Sequence, residues 1–218
     1  MSFIARLKGE EPGLFRKVVV AMREGTGGLG EYLIEYGIEH GKLPGRIEVF
    51  RNVLVPRKKG PTDESEVDVL LLHETGLYVI ESKNYSGWIF GSEGQRQWTQ
   101  TLEGGKKERF YNPIMQNRAH VRALAACLGV EREQMRSYVV FSERCTLKKV
   151  PDDCEEYVVC RRPRLLERLR ADMASRGTVF DEARMDELVE KIAALVEGST
   201  KAAKDAHVEQ VKRYVSGR

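Results

Sequence analysis

The chain has little cysteine, little tryptophan and no long apolar run, and each shortage narrows what it can be. Its four cysteines (Cys127, Cys145, Cys154 and Cys160) form no C-x-x-C pair. No Cys/His set has zinc spacing either, so free thiols of a reducing compartment are expected. The longest unbroken apolar run near the start, Val18 to Met22, falls far short of the ~20 residues of a membrane helix. No basic, apolar, small-residue export signal precedes it. The expectation is a soluble, cytoplasmic protein with no membrane partner. Charge of one sign is scarce as well. Lysine and arginine number 36 against 33 Asp plus Glu, a formal +3, so total charge does not announce a nucleic-acid binder.

What is present suits a folded domain. Hydrophobic residues make up 41% and charged residues 32% of 218, which excludes a disordered or low-complexity chain and suffices for a core without staples. Local charge says more than total charge. Arg51, Arg57, Lys58 and Lys59 occur with no acid from 51 to 59, and Lys106, Lys107 and Arg109 form a second cluster. Both are candidate phosphate contacts, weighed against the plainer reading of solvated loop charge.

Periodicity predicts a first helix over Gly28 to His40 and a strand over Arg46 to Pro56. Val67 to His73 and Leu77 to Lys83 read as strands separated by Glu74-Thr75-Gly76, a connection so short that they must be antiparallel. A second hairpin is expected from Trp88–Gly91 and Arg96–Thr99. Asn112-Pro113 opens a helix that runs to Leu128 and stops at Gly129. Ser137–Phe141 and Tyr157–Cys160 are short strands, followed by helices near 163–175, 181–197 and 200–215. The order describes an α/β (α+β) protein with a mixed central β-sheet flanked by helices and a helical C-terminal extension. Residues 1–160 form the expected main domain and 161–218 the extension, whose helices either pack on the core or offer a homodimer surface.

Gly25, Gly27 and Gly30 match G-x-G-x-x-G, but a dinucleotide site is not expected. Arg23 and Glu24 intervene before the first glycine, and no acid is placed for a ribose. The next elements form a hairpin where that fold needs a βαβ unit. No nucleotide cofactor is predicted.

The informative residues are Asp68, Glu81 and Lys83, charged positions inside runs that otherwise read as buried strand. Residues two apart share a strand face, so Glu81 and Lys83 point the same way, about 6.6–6.8 Å apart along the backbone. A fold-back near Thr75 brings Asp68 opposite residues 81 to 83. Two readings stand on this spacing. Paired carboxylates with a free coordination shell suit a hard divalent cation, with the lysine orienting water or stabilising phosphate charge. Alternatively, Glu81 and Lys83 form a satisfied buried ion pair, with Asp68 capped by backbone donors.

Val67-Asp68, followed by Glu81-Ser82-Lys83, resembles the PD-(D/E)xK nuclease signature, with Val67 where the generic motif has proline. The context resembles the nuclease-related domain (NERD) family. The matching stretches are Gly30-Glu31, Val67-Asp68-Val69-Leu70-Leu71, Gly76 to Gly87, Trp98, and Asn112-Pro113-Ile114-Met115-Gln116-Asn117, within residues 26 to 130. The resemblance implies a restriction-endonuclease-like core and Mg²⁺- or Mn²⁺-dependent hydrolysis of DNA phosphodiesters, with RNA as the other candidate substrate. It implies Asp68, Glu81 and Glu31 as metal carboxylates, Lys83 as the motif lysine and Gln116 as a neighbour from the later helix. The competing reading is a nucleic-acid-binding or regulatory module that keeps the fold with little chemistry. Away from the resemblance, helical spacing puts Ile114, Val121, Ala125 and Leu128 on one apolar side. Gln116, His120, Ala123 and Cys127 lie nearly opposite, so His120 reads as solvent-facing and not catalytic. Trp98 and Tyr85 are candidates for base stacking, with core packing the better reading for Trp98.

Overall fold

The computed structural model describes residues 25–56 and 64–198. Its elements in chain order are α1 (Gly25–His40), β1 (Ile47–Pro56), β2 (Glu64–His73), β3 (Gly76–Lys83), β4 (Gly87–Phe90), β5 (Gln97–Thr101), β6 (Lys107–Tyr111), α2 (Pro113–Leu128), β7 (Met135–Phe141), β8 (Cys145–Lys149), β9 (Tyr157–Arg161), α3 (Leu165–Ser175) and α4 (182–198). The main sheet has the order β1-β2-β3-β7-β9. β2 runs antiparallel to β1 and to β3, whereas β7 pairs with β3, and β9 with β7, in parallel. It is the expected mixed sheet flanked by helices.

Alternation along the strands builds two cores, one on each face. Leu70, Leu72, Leu77 and Val79 pack with Leu124 and Leu128 of α2 and with Leu188 and Ile192 of α4. Val69, Leu71, Tyr78 and Ile80 pack with Ile34 and Ile38 of α1 and with Leu165 and Leu169 of α3. Both faces are covered, which is why β2 and β3 read as continuous apolar runs rather than alternating ones. Helices α3 and α4 thus belong to the cores of the main sheet. The alternation breaks once. Phe50 and Val53 lie in the same core, as do their partners Leu70 and Val67, and between them sits Asn52 with φ 54°. Asp68 lies on β2 at that irregularity.

A smaller sheet, β6-β5-β4-β8, leans on the main one. Ile89 and Trp98 from its inner face pack against Ile114, Val139, Phe141 and Val159, so Trp98 is a core residue. Strands β6 and β8 are not visible in the sequence pattern. Both are edge strands in which lysine and arginine replace the apolar alternation. Gly25–Gly30 lies inside α1, and no phosphate-cradling loop forms there. The predicted helix at 200–215 lies outside the described residues.

Helix α2 is fixed at its start by one side chain. Asn112 accepts hydrogen bonds from the amides of Ile114 and Met115, capping the helix, and Pro113 fills the first turn. Its Nδ2 faces the β4–β5 loop and donates to the carbonyls of Ser92, Glu93 and Gln95. Asn112→Ala removes both functions, and urea unfolding should show a loss of about 1–3 kcal/mol. Asn112→Ser can keep the cap and loses the donors, so it should lose less. Equal losses by the two variants would mean that the cap contributes nothing.

Candidate active site

The register Val69↔Ile80, continued by one pair, sets Asp68 opposite Glu81. The carboxylates therefore meet across the β2–β3 hairpin, as the fold-back at Thr75 predicts. The amide of Ser82 donates to Asp68 Oδ2 at 2.7 Å. Lys83 Nζ donates to Glu81 Oε1 at 2.6 Å and to Gln116 Oε1 of α2 at 3.1 Å. Gln116 is brought to this position by its neighbour Asn117, whose buried amide donates to Val79 O, Ser137 Oγ and Tyr138 O. Those three bonds tie α2 to β3 and β7 directly beneath the cluster. Glu31 enters from α1 on the other face. A side chain at Gly30 would meet Ser82 Oγ at 2.9 Å and Asn84 Cβ at 3.4 Å, so glycine lets that helix approach the end of β3.

His120 corrects the sequence reading. It is 2% exposed rather than solvent-facing. Its Nε2 lies 3.1 Å from Glu81 Oε2, and its Nδ1 shares a 2.7 Å hydrogen bond with Ser65 Oγ. The buried face of α2 comprises Ile114, Asn117, His120, Leu124 and Leu128. With Pro113 the buried residues number six, and two of them are polar, so a search for apolar periodicity places the face too far round the helix. The signal that could have found His120 is its helical spacing from Gln116: two residues four apart reach along the same strand.

The electrostatics are uneven. Burial first, then repulsion from Glu81 and more weakly from Glu31, pushes the Asp68 carboxyl up to about 8, against the pull of the Ser82 amide and Lys83. Burial also acts to raise Glu81, but His120 and Lys83 overcome it and hold that carboxyl below its usual range. Burial acts to lower Lys83, yet Glu81 and Asp68 hold the ammonium above the ordinary lysine range. Both contacts of the ion-pair reading are present, and they satisfy Glu81 far better than Asp68. Glu81 Oε2 and His120 Nε2, though close, lack hydrogen-bond alignment, and each is buried without a hydrogen-bond partner.

An under-neutralised buried carboxyl beside a carboxylate oxygen that faces the His120 ring out of hydrogen-bond alignment fits a hard divalent cation. Asp68 and Glu81 are the residues that would hold one. Among the described residues no three or more His, Cys, Asp and Glu side chains are grouped as a ready cation cage. Glu31 is near enough to repel Asp68 without closing such a group. A two-carboxylate site completed by water and phosphate oxygens is typical of Mg²⁺.

Only part of the predicted phosphate contacts falls within the described residues. Arg57, Lys58 and Lys59 lie outside the described residues, and Arg51 is paired with Glu35 of α1 at 2.8 Å. Lys106 is exposed and paired with Glu108 at 2.6 Å, while Lys107 is exposed on β6. All four cysteines are free thiols. No helix among the described residues is long and apolar enough to cross a membrane.

A mixed sheet with helices on both faces and a D…ExK cluster on a central hairpin defines a restriction-endonuclease-like α/β protein. More narrowly, the chain belongs to the nuclease-related domain (NERD) family, which matches residues 26–142. It is 38% identical over 102 residues to an uncharacterized protein of Bacillus anthracis, a match covering 47% of this chain and 46% of that protein. The chain thus spans about half the length of the curated relative it matches. The crystal structure of AF1548, a protein of unknown function, superposes with a TM-score of 0.38 at 16% identity, covering 89% of this chain and all of that one. A likeness that slight carries no argument about function.

The sign of the Asp68 shift gives a test. As pH rises from about 4 towards 8, unfolded Asp68 loses its proton while folded Asp68 keeps it. The unfolded state then binds fewer protons, and stability falls across that window. Asp68→Asn is free of this loss and can still accept from Ser82. In EDTA its melting temperature relative to wild type should rise between pH 5 and pH 8, by roughly 2–4 °C for each kcal/mol relieved. An Asn variant that is strongly destabilised at both pH values would make Asp68 architectural.

Proposed function

We propose that the protein is a metal-dependent nuclease that hydrolyses phosphodiester bonds, with DNA as its first substrate class. The observation that carries this is the buried Asp68–Glu81–Lys83 cluster, whose Asp68 carboxyl is not neutralised by the residues around it. It is supported by membership of a nuclease-related family. The cofactor proposed is Mg²⁺ or Mn²⁺ held by Asp68 and Glu81, with Glu31 adding negative potential from α1. When bound, such an ion polarises a phosphoryl oxygen and acidifies a water molecule.

The chain's own residues supply the rest. Lys83 stays an ammonium because its neighbours hold it charged, so it acts as a donor and not as a general base. Two of its three N–H groups are committed to Glu81 and Gln116. The third is left for a water or a non-bridging phosphate oxygen. As water oxygen bonds to phosphorus and the bond to the leaving alcohol breaks, charge builds on those oxygens, and a fixed ammonium stabilises it. Gln116 keeps Nζ from following Glu81 alone. His120 and Ser65 hold the far side of Glu81, which makes them positioning residues.

A second reading, a binding module with little chemistry, draws on the lack, among the described residues, of a group of three or more ligand-type side chains. Cleavage of DNA in Mg²⁺ or Mn²⁺, abolished by EDTA, separates the two. Lys83→Ala should lower the single-turnover rate by roughly 100-fold or more while leaving affinity for DNA almost unchanged, since the lysine acts on the transition state. Equal cleavage by wild type and variant would expose a contaminating nuclease.

A further inference from the structure

We infer that the outward face of the small sheet is a docking surface for a single nucleic-acid strand, on which unpaired bases stack beside the candidate active site. This deepens the nuclease reading, on which the link to cleavage rests, by naming the form of substrate that is held.

The face is defined by register. Trp88 pairs with Thr101, and Thr101 with Lys107; Phe90 pairs with Thr99, and Thr99 with Arg109; Gln97 pairs with Tyr111. Partners across strands share a face, and Ile89, Trp98 and Phe110 occupy the opposite one, in the core. Each cross-strand row on the outward face therefore carries an aromatic ring, and two of the three also carry a cation. Successive rows lie about 6.6–6.8 Å apart. Trp88 is 51% exposed and Tyr111 48%, so both rings are open to a ligand on this face. Lys148 of β8 adds an ammonium 5.0 Å from the centre of the Trp88 ring. Beside Phe90, Thr99 and Arg109 opens a groove of about 630 Å³, also lined by Arg96 and Lys149.

Charge selects the occupant. The four strands contain a single carboxylate, Glu108, and it pairs with Lys106 on the other face. What remains outward is lysine, arginine, threonine, glutamine and aromatic rings. Aromatic platforms interleaved with cations fit unpaired bases strung on a phosphate backbone. A duplex buries the base faces that these rings would stack upon.

The surface is also within reach of the cluster. Only Asn84, Tyr85 and Ser86 separate β3 from β4, so the backbones of Lys83 and Trp88 are at most about 18 Å apart. That connection is held in place. Ser142 Oγ donates to Tyr85 O at 2.5 Å, and Arg144 donates to Asn84 O and Oδ1 at 3.0 and 2.9 Å.

The test is strand binding in EDTA, where no cleavage is needed. Labelled oligothymidylate and oligouridylate serve as probes, with a duplex of the same length as control. Wild type should prefer the single strands. Of the two tryptophans, Trp98 is fully buried, so a change in intrinsic fluorescence on adding oligonucleotide reports Trp88. Trp88→Ala should weaken single-strand binding roughly 5- to 150-fold, and Trp88→Phe should restore most of it. Lys107→Gln and Arg109→Gln should each reduce the logarithmic salt slope by ~0.7. Unchanged affinity in Trp88→Ala, with silent fluorescence in wild type, would overturn the proposal. So would inorganic polyphosphate competing as well as the strand, which would leave a mere patch of charge. Cleavage assays on wild type and on Trp88→Ala separate the two ideas. Strand binding through Trp88 without metal-dependent cleavage in wild type would leave this surface standing and remove the nuclease reading. Cleavage of single strands indifferent to Trp88 would do the reverse.

Discussion

One ammonium cannot neutralise two buried carboxylates, and the arrangement of this protein turns on that inequality. Asp68 and Glu81 stand opposite each other on a hairpin whose two-residue turn leaves no freedom of register. Lys83 shares a strand face with Glu81 and commits to it. Asp68 is left with a single backbone amide and a carboxyl pushed up to about 8. Taking a carboxylate out of water costs several kcal/mol unless something compensates. Either a proton or a cation must therefore complete the cluster.

The surroundings hold the deficit in place. β3 and β7 run in parallel and end together, with Lys83 beside Phe141. Each then passes through three residues into the small sheet, where β4 and β8 are again a parallel pair. The small sheet is thus the same strand pair continued past a bend, and Ser142 bridges the bend by donating its amide to Lys83 O. Anything docked on β4 is positioned by the strand that carries Glu81 and Lys83. Helix α1 approaches from one face at Gly30 and α2 from the other through Asn117, so the cluster is clamped between both helical layers.

How much of this was legible depends on what each residue had to do. The hairpin, its register and the convergence of Asp68 with Glu81 followed from dense apolar runs and a short turn, because a charge in such a run has few places to go. Helix α2 and both its ends followed from Asn112, Pro113 and Gly129, whose backbone chemistry is local. Strands β6 and β8 did not show. They sit at edges and carry charge where a central strand carries valine. His120 was misplaced for a different reason. Hydropathy treats burial and polarity as opposites, and on α2 the buried face includes Asn117 and His120, each recruited for its hydrogen bonds.

That mismatch is itself informative about α2. A helix needed only for packing would put leucine or alanine at 117 and 120, which costs nothing in desolvation. This one places an amide against the carbonyls of two parallel strands and an imidazole against a buried carboxylate. The amide nitrogen is well paired, although its oxygen is buried without a partner. The imidazole is not: Nδ1 is held by Ser65, while Nε2 faces Glu81 Oε2 out of alignment. A poorly aligned contact in a dry site is a penalty that packing alone would have removed. This contact and the under-neutralised Asp68 carboxyl lie at one place, where α2 meets the two buried carboxylates of β2 and β3. The buried face of the helix is set by the contacts it makes there as well as by packing.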